Sequence, residues 1–300
     1  PNNLNPFEEG VLMKHQVEWL KIKTDIKACP KGRRTGITFA ESFDAVFTAA
    51  ASKEAGGMSV YYIGDTKEKG LEFIGYCAKF SRVIAEAQGQ IVQIEEFLFE
   101  DQNEKGETRQ ITAYRIRYAS GFQIVALSSR PENIRGLQGK VVIDEAAFHP
   151  NVQGVMEAAT ALLIWGGRIS VISSHNGKNN PFNQFIKDID NGVFGEDARV
   201  HIVTFDDAVA NGLYERVCFM QGKEATLAGQ KKWYTKIRKA YGSRKAAMRE
   251  ELDAIPRDGS SVCLPTLWVE RAMSEPRTIL RLALGDDFTQ FTPDERHSSF

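Results

Sequence analysis

The chain has 300 residues, of which 42% are hydrophobic, so it can bury a substantial core as one large domain or two small ones. Its 38 basic and 39 acidic residues give a net charge of −1, which excludes an overall basic field as a sign of nucleic-acid binding. We see no signal peptide, no apolar stretch of membrane-spanning length and no metal-ligand spacing among four distant cysteines, and we expect a reduced, cytoplasmic protein.

Helices and strands are predicted to alternate along most of the chain. In chain order, the first half predicts a helix at 12–23, strands at 26–29 and 59–64 with a helix between them, a helix at 67–87, and an antiparallel hairpin of strands 91–99 and 111–118 around a polar tip at 101–106. The second half predicts strands at 122–127, 141–143, 169–173 and 200–205, helices at 153–165, 181–189 and 230–254, and a linker at 255–261. This order indicates an α/β fold with a mainly parallel sheet covered on both faces.

The segment Lys31-Gly32-Arg33-Arg34-Thr35-Gly36-Ile37-Thr38 resembles a phosphate-binding loop whose lysine is displaced. The usual pattern is G-x-x-x-x-G-K-[S/T]. Here the second glycine and the final hydroxyl are in place, but Ile37 occupies the lysine position and Lys31 the first glycine position. Because a lysine stem is flexible, Lys31 could reach the same phosphates from the other flank of the loop. An ordinary basic turn between a strand and a helix is the alternative.

A second candidate element is the apolar run 141–143, which ends in Asp144 and Glu145. Such a run is typical of a central parallel strand, and carboxylates at its carboxyl end lie where open α/β sheets bind ligands. Asp144 is predicted to bind Mg²⁺ together with Thr38, and Glu145 to orient and deprotonate the attacking water. The alternative is a pair of acids at a helix N-terminus, where they favour the helix dipole.

With these elements in order, residues 10 to 260 resemble the ATPase domain of a tailed-phage terminase large subunit, the DNA-packaging motor, in its Mu-like branch. The resemblance depends on the loop with the displaced lysine, the stretch 133–139 before the acidic strand, and Ser173-Ser174-His175. It implies a P-loop NTPase core with added antiparallel strands and a small helical lid, ATP and Mg²⁺ as cofactors, and an RNase H-like nuclease domain further along in the full-length protein.

The resemblance also implies roles for individual residues. Gln16 matches the adenine-recognition glutamine, and Arg33, Arg34 or Arg135 could be the arginine finger, with Arg135 our choice for a finger given to a neighbouring subunit. Ser173, Ser174 and His175 match the motif that couples phosphate loss to movement of the lid. Each has an alternative: a solvated glutamine, arginines that only attract the anion, and a structural histidine.

A basic run in 231–249 also contains aromatic residues. It suggests contact with DNA or with the lid, because lysine and arginine grip phosphates without reading sequence, although a solvated helical face is the usual explanation. The candidates for this contact are Lys231, Lys232, Lys236, Arg238 and Lys239. We expect residues 1–254 to form the ATPase domain, with the lid at about 206–254, and 255–300 to lead towards the nuclease domain. After residue 261 the only acidic pairs are at 286–287 and 294–295, so we expect no nuclease activity in this chain.

The resemblance implies double-stranded DNA, the portal protein and the small terminase subunit as partners, a homo-oligomeric ring when assembled, a monomer as an isolated domain, and the host cytoplasm, transiently at the procapsid portal, as the location. Two other functions stay open from the residues. One is a helicase-like or repair ATPase that acts on nucleic acid, which a strand-separation assay would distinguish. The other is a non-catalytic nucleotide-binding assembly protein, which substitution of Lys31 would test.

Overall fold

The computed structural model describes residues 10–88, 93–102, 108–127, 129–258, 271 and 273. The chain divides into two compact units, with the boundary between residues 259 and 260. Most of the predicted hairpin tip, the end of the predicted linker and the acidic pairs at 286–287 and 294–295 lie outside the described residues. Within those residues, no helix combines the length and apolarity needed to cross a bilayer.

The first unit is built on an eight-stranded sheet. The strands are β1 (Ile26–Pro30), β2 (Val60–Ile63), β3 (Gln93–Gln102), β4 (Thr108–Arg117), β5 (Gln123–Leu127), β6 (Lys140–Asp144), β7 (Arg168–Ser173) and β8 (Ala198–Val200). Their order in the sheet is β3-β4-β5-β2-β6-β7-β1-β8. The six strands from β5 to β8 in that order pair in parallel, whereas β3 and β4 form the predicted antiparallel hairpin and join β5 antiparallel. The mainly parallel α/β sheet predicted from the sequence is confirmed.

Ten helices are described around this sheet. They are α1 (Lys14–Lys21), α2 (Ile37–Ala50), α3 (Lys67–Gln88), α4 (Pro131–Ile134), α5 (Val152–Thr160), α6 (Pro181–Asp190), α7 (Phe205–Ala210), α8 (Leu213–Met220), α9 (Leu227–Lys239) and α10 (Lys245–Asp253). Two hydrophobic clusters form the core, one on each face of the sheet: α2 and α3 contribute to one, and α5 and α6 to the other. Burial on both faces explains why β1, β2 and β6 are buried along their whole length.

Three predicted elements differ from the structure, each because of local capping or turn geometry. The strand predicted at 200–205 lies instead at Ala198–Val200, because Thr204 caps helix α7 in a reciprocal pair with Asp207. The helix predicted at 230–254 is two helices, α9 and α10, separated by a turn in which Gly242 has φ +56°. The helix predicted at 153–165 ends at Thr160 and continues as a tighter 3₁₀ turn.

Candidate nucleotide site

The predicted phosphate-binding loop connects β1 to α2 and has the backbone conformation of an anion site. Arg34 has φ +61° and Gly36 has φ +81°, so the chain passes twice through the left-handed region. Such alternation points successive N–H groups towards one centre. Among the described residues, the N–H groups of 34–38 have no protein acceptor, and those of 37 and 38 open the first turn of α2. The loop therefore presents unpaired donors at a helix N-terminus, which is the arrangement that phosphate groups bind.

Helix α1 fixes the turn of this loop from behind. The Gln16 side chain donates to the Gly36 carbonyl (2.7 Å), and its amide oxygen accepts from the Met13 N–H (2.7 Å). His15 Nε2 lies 2.8 Å from the Thr35 carbonyl. The φ of +81° at Gly36 favours glycine, and a β-carbon there would lie 2.6 Å from the Gln16 amide nitrogen and displace that side chain. Both polar groups of Gln16 bond to protein atoms, and its predicted contact with adenine stays a prediction.

The other candidate residues lie at the ends of three neighbouring strands, at the same edge of the sheet. Strand β7 lies between β1 and β6, and all three are parallel. Their carboxyl ends therefore lie side by side. Lys31 follows β1, Asp144 ends β6 with Glu145 after it, and Ser173 ends β7. The structure thus brings together residues that are more than 100 positions apart in the sequence.

Lys31 faces the two carboxylates directly. Its ammonium nitrogen lies 3.2 Å from Glu145 Oε1, and its side chain is only 5% exposed. Thr38 donates a hydrogen bond of 2.7 Å to Asp144 Oδ2, and Tyr62 donates to the same oxygen over 2.9 Å. The displaced lysine, the loop hydroxyl and the acidic pair form one cluster. Thr38 and Asp144 have the oxygen donors that Mg²⁺ prefers, so these residues fit the predicted metal site.

Electrostatic coupling in this cluster shifts the pKa values of its members. Burial alone would lower the pKa of Lys31, but attraction to Glu145 and Asp144 outweighs it and the pKa is raised. For Glu145, burial is opposed by the nearby Lys31, and its pKa is lowered. Burial raises the pKa of Asp144 against the opposing effect of Lys31. Glu145 is therefore an ionised carboxylate at neutral pH, as a proton acceptor must be.

Glu145 also has an unusual backbone. Its φ is +51°, in the left-handed region, although it is neither glycine nor asparagine. Its N–H donates to its neighbour Asp144 (2.9 Å), and the Lys31 ammonium holds its side chain. Sparsely populated backbone conformations of this kind are concentrated at functional sites. The geometry turns the carboxylate into the cleft rather than along the strand.

A cleft of about 400 Å³ opens above this cluster. Lys31, residues 33–38 and Glu145 line it, together with Ser174 and His175 of the predicted coupling motif. Ser173 lies beneath, where its carbonyl accepts from the Lys31 N–H (2.9 Å) and its hydroxyl accepts from the Ala147 N–H (3.0 Å). Burial lowers the pKa of His175 to about 4, so its imidazole is neutral at physiological pH.

The predicted arginine fingers fall into two positions. Arg33 and Arg34 are exposed side chains of the loop and line the cleft. Arg33 forms an ion pair with Glu251 of α10 (3.3 Å). Arg135 is exposed after α4 and is not among the residues that line the cleft. The role of Arg135 as a finger given to a neighbouring subunit stays a prediction.

Sequence reasoning missed the contacts that α10 and Tyr62 make with this site. The Glu251 carbonyl accepts from the Arg33 N–H (2.8 Å), and buried Glu250 accepts from the Gly177 N–H (2.6 Å) just after the coupling motif. A β-carbon at Gly32 would lie 2.6 Å from the Leu252 carbonyl, so α10 packs directly on the loop. The acids at 250 and 251 follow a basic run in the sequence, and no motif marks them as partners of the loop.

The predicted DNA or lid residues of α9 differ in exposure and in what they contact. Arg238 turns inward and pairs with Asp206 and Asp253, at 2.7 Å in each case. The lysines are exposed and line one shallow groove: Lys231, Lys232, Lys236 and Lys239. Arg238 therefore makes a contact within the helical segment 205–253, and the lysines remain available to a partner.

The chain resembles two curated phage proteins along almost its whole length. It is 40% identical over 295 residues to the "Probable terminase, large subunit gp28" of Escherichia phage Mu, a match that covers 97% of the chain and 52% of that protein. It is also 40% identical to the "Mu-like prophage FluMu protein gp28" of Haemophilus influenzae, covering 98% of the chain and 56% of that protein. The chain thus spans about half the length of the curated relatives it matches. No protein-family model matches it.

Two of the solved structures of similar fold come from one Thermus phage. The large terminase ATPase domain of Thermus phage P74-26 superposes with a TM-score of 0.53 at 18% identity, covering 84% of this chain and 98% of that domain. An arginine-to-alanine mutant of the same domain gives 0.54 at 17% identity, with coverage of 84% and 100%. At this identity the likeness shows the fold alone.

The chain has a P-loop NTPase-like fold, similar to that of the large terminase ATPase domain of Thermus phage P74-26. The more particular resemblance predicted from the sequence is confirmed as well. The chain is a relative of the gp28 large terminase subunits of Mu-like phages.

Proposed function

We propose that this chain is the ATP-hydrolysing motor domain of a phage terminase large subunit, which moves double-stranded DNA into a procapsid. The observation that carries the proposal is the 3.2 Å contact between Lys31 and Glu145 beside the bond between Thr38 and Asp144. It places a cation, a candidate metal site and an ionised carboxylate at one edge of the sheet. The relatives named as terminases supply the packaging function, and the site supplies the chemistry.

In the proposed reaction, the N–H groups of residues 34–38 and the Lys31 ammonium hold the ATP phosphates. Mg²⁺, when bound, neutralises phosphate charge, and Thr38 and Asp144 are the residues that would hold it. Glu145 accepts a hydrogen bond from the attacking water and then its proton, which makes the water a better nucleophile at the γ-phosphate. Ser174 and His175 in the cleft are placed to respond when phosphate leaves.

Substitution of the acid and the cation separates binding from chemistry. Glu145→Gln is expected to bind ATP as the parent does, because it keeps the size and hydrogen bonding of the side chain. Its turnover should fall by about 10²–10⁴-fold, the usual contribution of a general base. Lys31→Met should instead weaken nucleotide binding. Nucleotide-binding titrations and phosphate-release assays measure the two effects, and parent-like turnover in Glu145→Gln would remove Glu145 from this role.

Arg135 is proposed to complete the site of a neighbouring subunit in a homo-oligomeric ring. The isolated domain, as a monomer, should then hydrolyse ATP slowly, because an arginine finger contributes roughly 10³–10⁵ in rate. Activity should rise steeply with protein concentration. The ring would act in the host cytoplasm, at the procapsid portal, with the portal protein and the small terminase subunit as partners.

A mixing experiment tests this assignment. Arg135→Ala and Glu145→Gln are each expected to be inactive, but a mixture contains pairs in which the Glu145→Gln subunit gives its arginine to an intact Glu145. We therefore expect the mixture to recover part of the parent ATPase activity at high protein concentration. If the mixture stays as inactive as its components while the parent is active, Arg135 does not act in trans.

A further inference from the structure

Helix α9 carries an exposed lysine face. This face consists of Lys231, Lys232, Lys236 and Lys239, and the small residues Ala228 and Thr235 line the same groove. Among the described residues, none of the four ammonium groups has an ion-pair partner. The whole helix contains no acidic residue. The chain has a net charge of only −1, so this concentration of positive charge is local.

The orientation of the lysine face is fixed by the opposite side of the helix. Trp233 packs against Phe205 and Tyr214, with ring centroids 5.4 Å apart in both cases. Arg238 forms ion pairs with Asp206 and Asp253. The ring contacts of Trp233 are enough to hold α9 in this orientation, in which the four lysines are exposed.

Helix stability alone does not account for the lysine face. Basic residues in the last turn favour the negative end of the helix dipole, and this explains Lys236 and Lys239. It does not explain Lys231 and Lys232 in the middle of the helix. Lys232 and Lys236 are four positions apart, where like charges are neighbours and repel. A bound polyanion would relieve this repulsion.

The dimensions of the face suit a nucleic-acid backbone. From Lys231 to Lys239 the helix rises by about 12 Å, at roughly 1.5 Å per residue. One strand of a duplex has a phosphate for about every 3.4 Å of its axis, so this length meets about three or four phosphates. The small side chains that line the same groove leave room for close approach. We infer that the lysine face of α9 binds the phosphate backbone of double-stranded DNA without reading its sequence.

A continuous set of contacts links this face to the nucleotide loop. Arg238 joins α9 to Asp253 at the end of α10, and α10 accepts the Arg33 N–H of the loop through the Glu251 carbonyl (2.8 Å). The Arg33 side chain and the Tyr241 hydroxyl both donate to the Glu251 carboxylate. This part of the inference rests on the proposed function: DNA held on α9 should change ATP turnover through α10.

DNA binding by the full chain tests the first part. The probe is a fluorescently labelled random-sequence duplex of about 30 base pairs, titrated by anisotropy at several salt concentrations without nucleotide. The test variant replaces all four lysines of the face by glutamine. The matched control replaces four exposed lysines elsewhere, Lys14, Lys21, Lys53 and Lys187, and so has the same net charge. Thermal unfolding of both variants shows that they are folded.

The lysine-face variant is expected to bind the duplex at least about tenfold more weakly at low salt. The slope of log binding constant against log salt concentration should also be shallower, by the amount that corresponds to about three or four lost phosphate contacts. The control should bind within about twofold of the parent. An equal loss of DNA affinity in both variants would show a general charge effect. Parent-like DNA binding by the lysine-face variant would mean that the face binds another polyanion, such as an acidic protein. Either result overturns the inference.

Arg238→Gln tests the link without removing a lysine. It should bind the duplex as the parent does but lose the stimulation of ATP hydrolysis by DNA. Stimulation equal to that of the parent would overturn the link. ATP hydrolysis without DNA is measured in parallel. If the parent shows no turnover, the proposed function fails. Failure of the lysine face is decided separately, by the DNA-binding assay.

Discussion

Strand β6 carries a buried charge at each end, and the two ends differ in what they can do. It begins at Lys140 and ends at Asp144, both almost fully buried. Helix α2 provides partners for both: Thr38 for Asp144, and Glu41 and Asp44 for Lys140. One end opens on a cleft that is lined by a loop of unpaired N–H groups. The other is closed by further protein groups.

At the closed end, the charges satisfy one another. Lys140 lies 2.8 Å from Glu41 and 2.5 Å from Asp44, and Lys27 lies 3.2 Å from Glu41 and 4.1 Å from the centre of the Trp19 ring. Burial alone would lower the pKa of Lys140, but the two carboxylates outweigh it and the pKa is raised. Both ends of β6 therefore have a buried lysine–carboxylate cluster, but only the cluster beside the cleft is open to a ligand.

Removal of one cation should distinguish the two ends most strongly. Lys140→Met leaves Glu41 without its closest partner inside the protein, and we expect it to destabilise the fold by about 3–5 kcal/mol. Lys31→Met should lower the free energy of unfolding by less than half of that amount, because Glu145 lies at the cleft and water can solvate it. Urea denaturation of both variants measures the difference, and equal costs would contradict the distinction between closed and open ends.

Acidification should affect the two regions in different pH windows. The pKa of His175 is lowered to about 4 by burial, whereas an unfolded histidine titrates near 6.5. The unfolded chain therefore binds more protons between these values, and stability falls as pH drops from about 6.5 to about 4. For Asp44, burial is outweighed by Lys140 and the pKa is lowered, so its contribution is present above about 3.8 and is lost as pH falls further.

Unfolding free energies measured along a pH series check this order. His175→Gln removes the titrating group in the cleft and should flatten the upper window without changing the lower one. Asp44→Asn should flatten the lower window instead, although it also weakens the closed cluster. If the free energy of unfolding of His175→Gln depends on pH between 6.5 and 4 as that of the parent does, other groups control stability in this pH range.

Site residues that lie at the end of a strand could be predicted from the local sequence pattern. Lys31, Asp144 and Ser173 each follow or end an apolar run, so parallel strands were enough to bring them to one edge. The sequence did not predict Tyr62 or the acids of α10, because their contacts depend on how distant elements pack. It also could not predict that Arg238 pairs with Asp206 and Asp253 whereas the lysines of α9 stay exposed, since this depends on how α9 packs against distant residues.

The smallest change in stability is expected for Lys23, at the edge of the closed cluster around Lys140. Lys23 lies 3.7 Å from Asp44, but its side chain is 65% exposed, so water screens the pair. Lys23→Gln should change stability by less than about 1 kcal/mol, although it removes the same charge from the same cluster as Lys140→Met. A cost comparable to that of Lys140→Met would mean that total charge rather than burial controls this cluster, and burial would then not explain why the two ends of β6 differ.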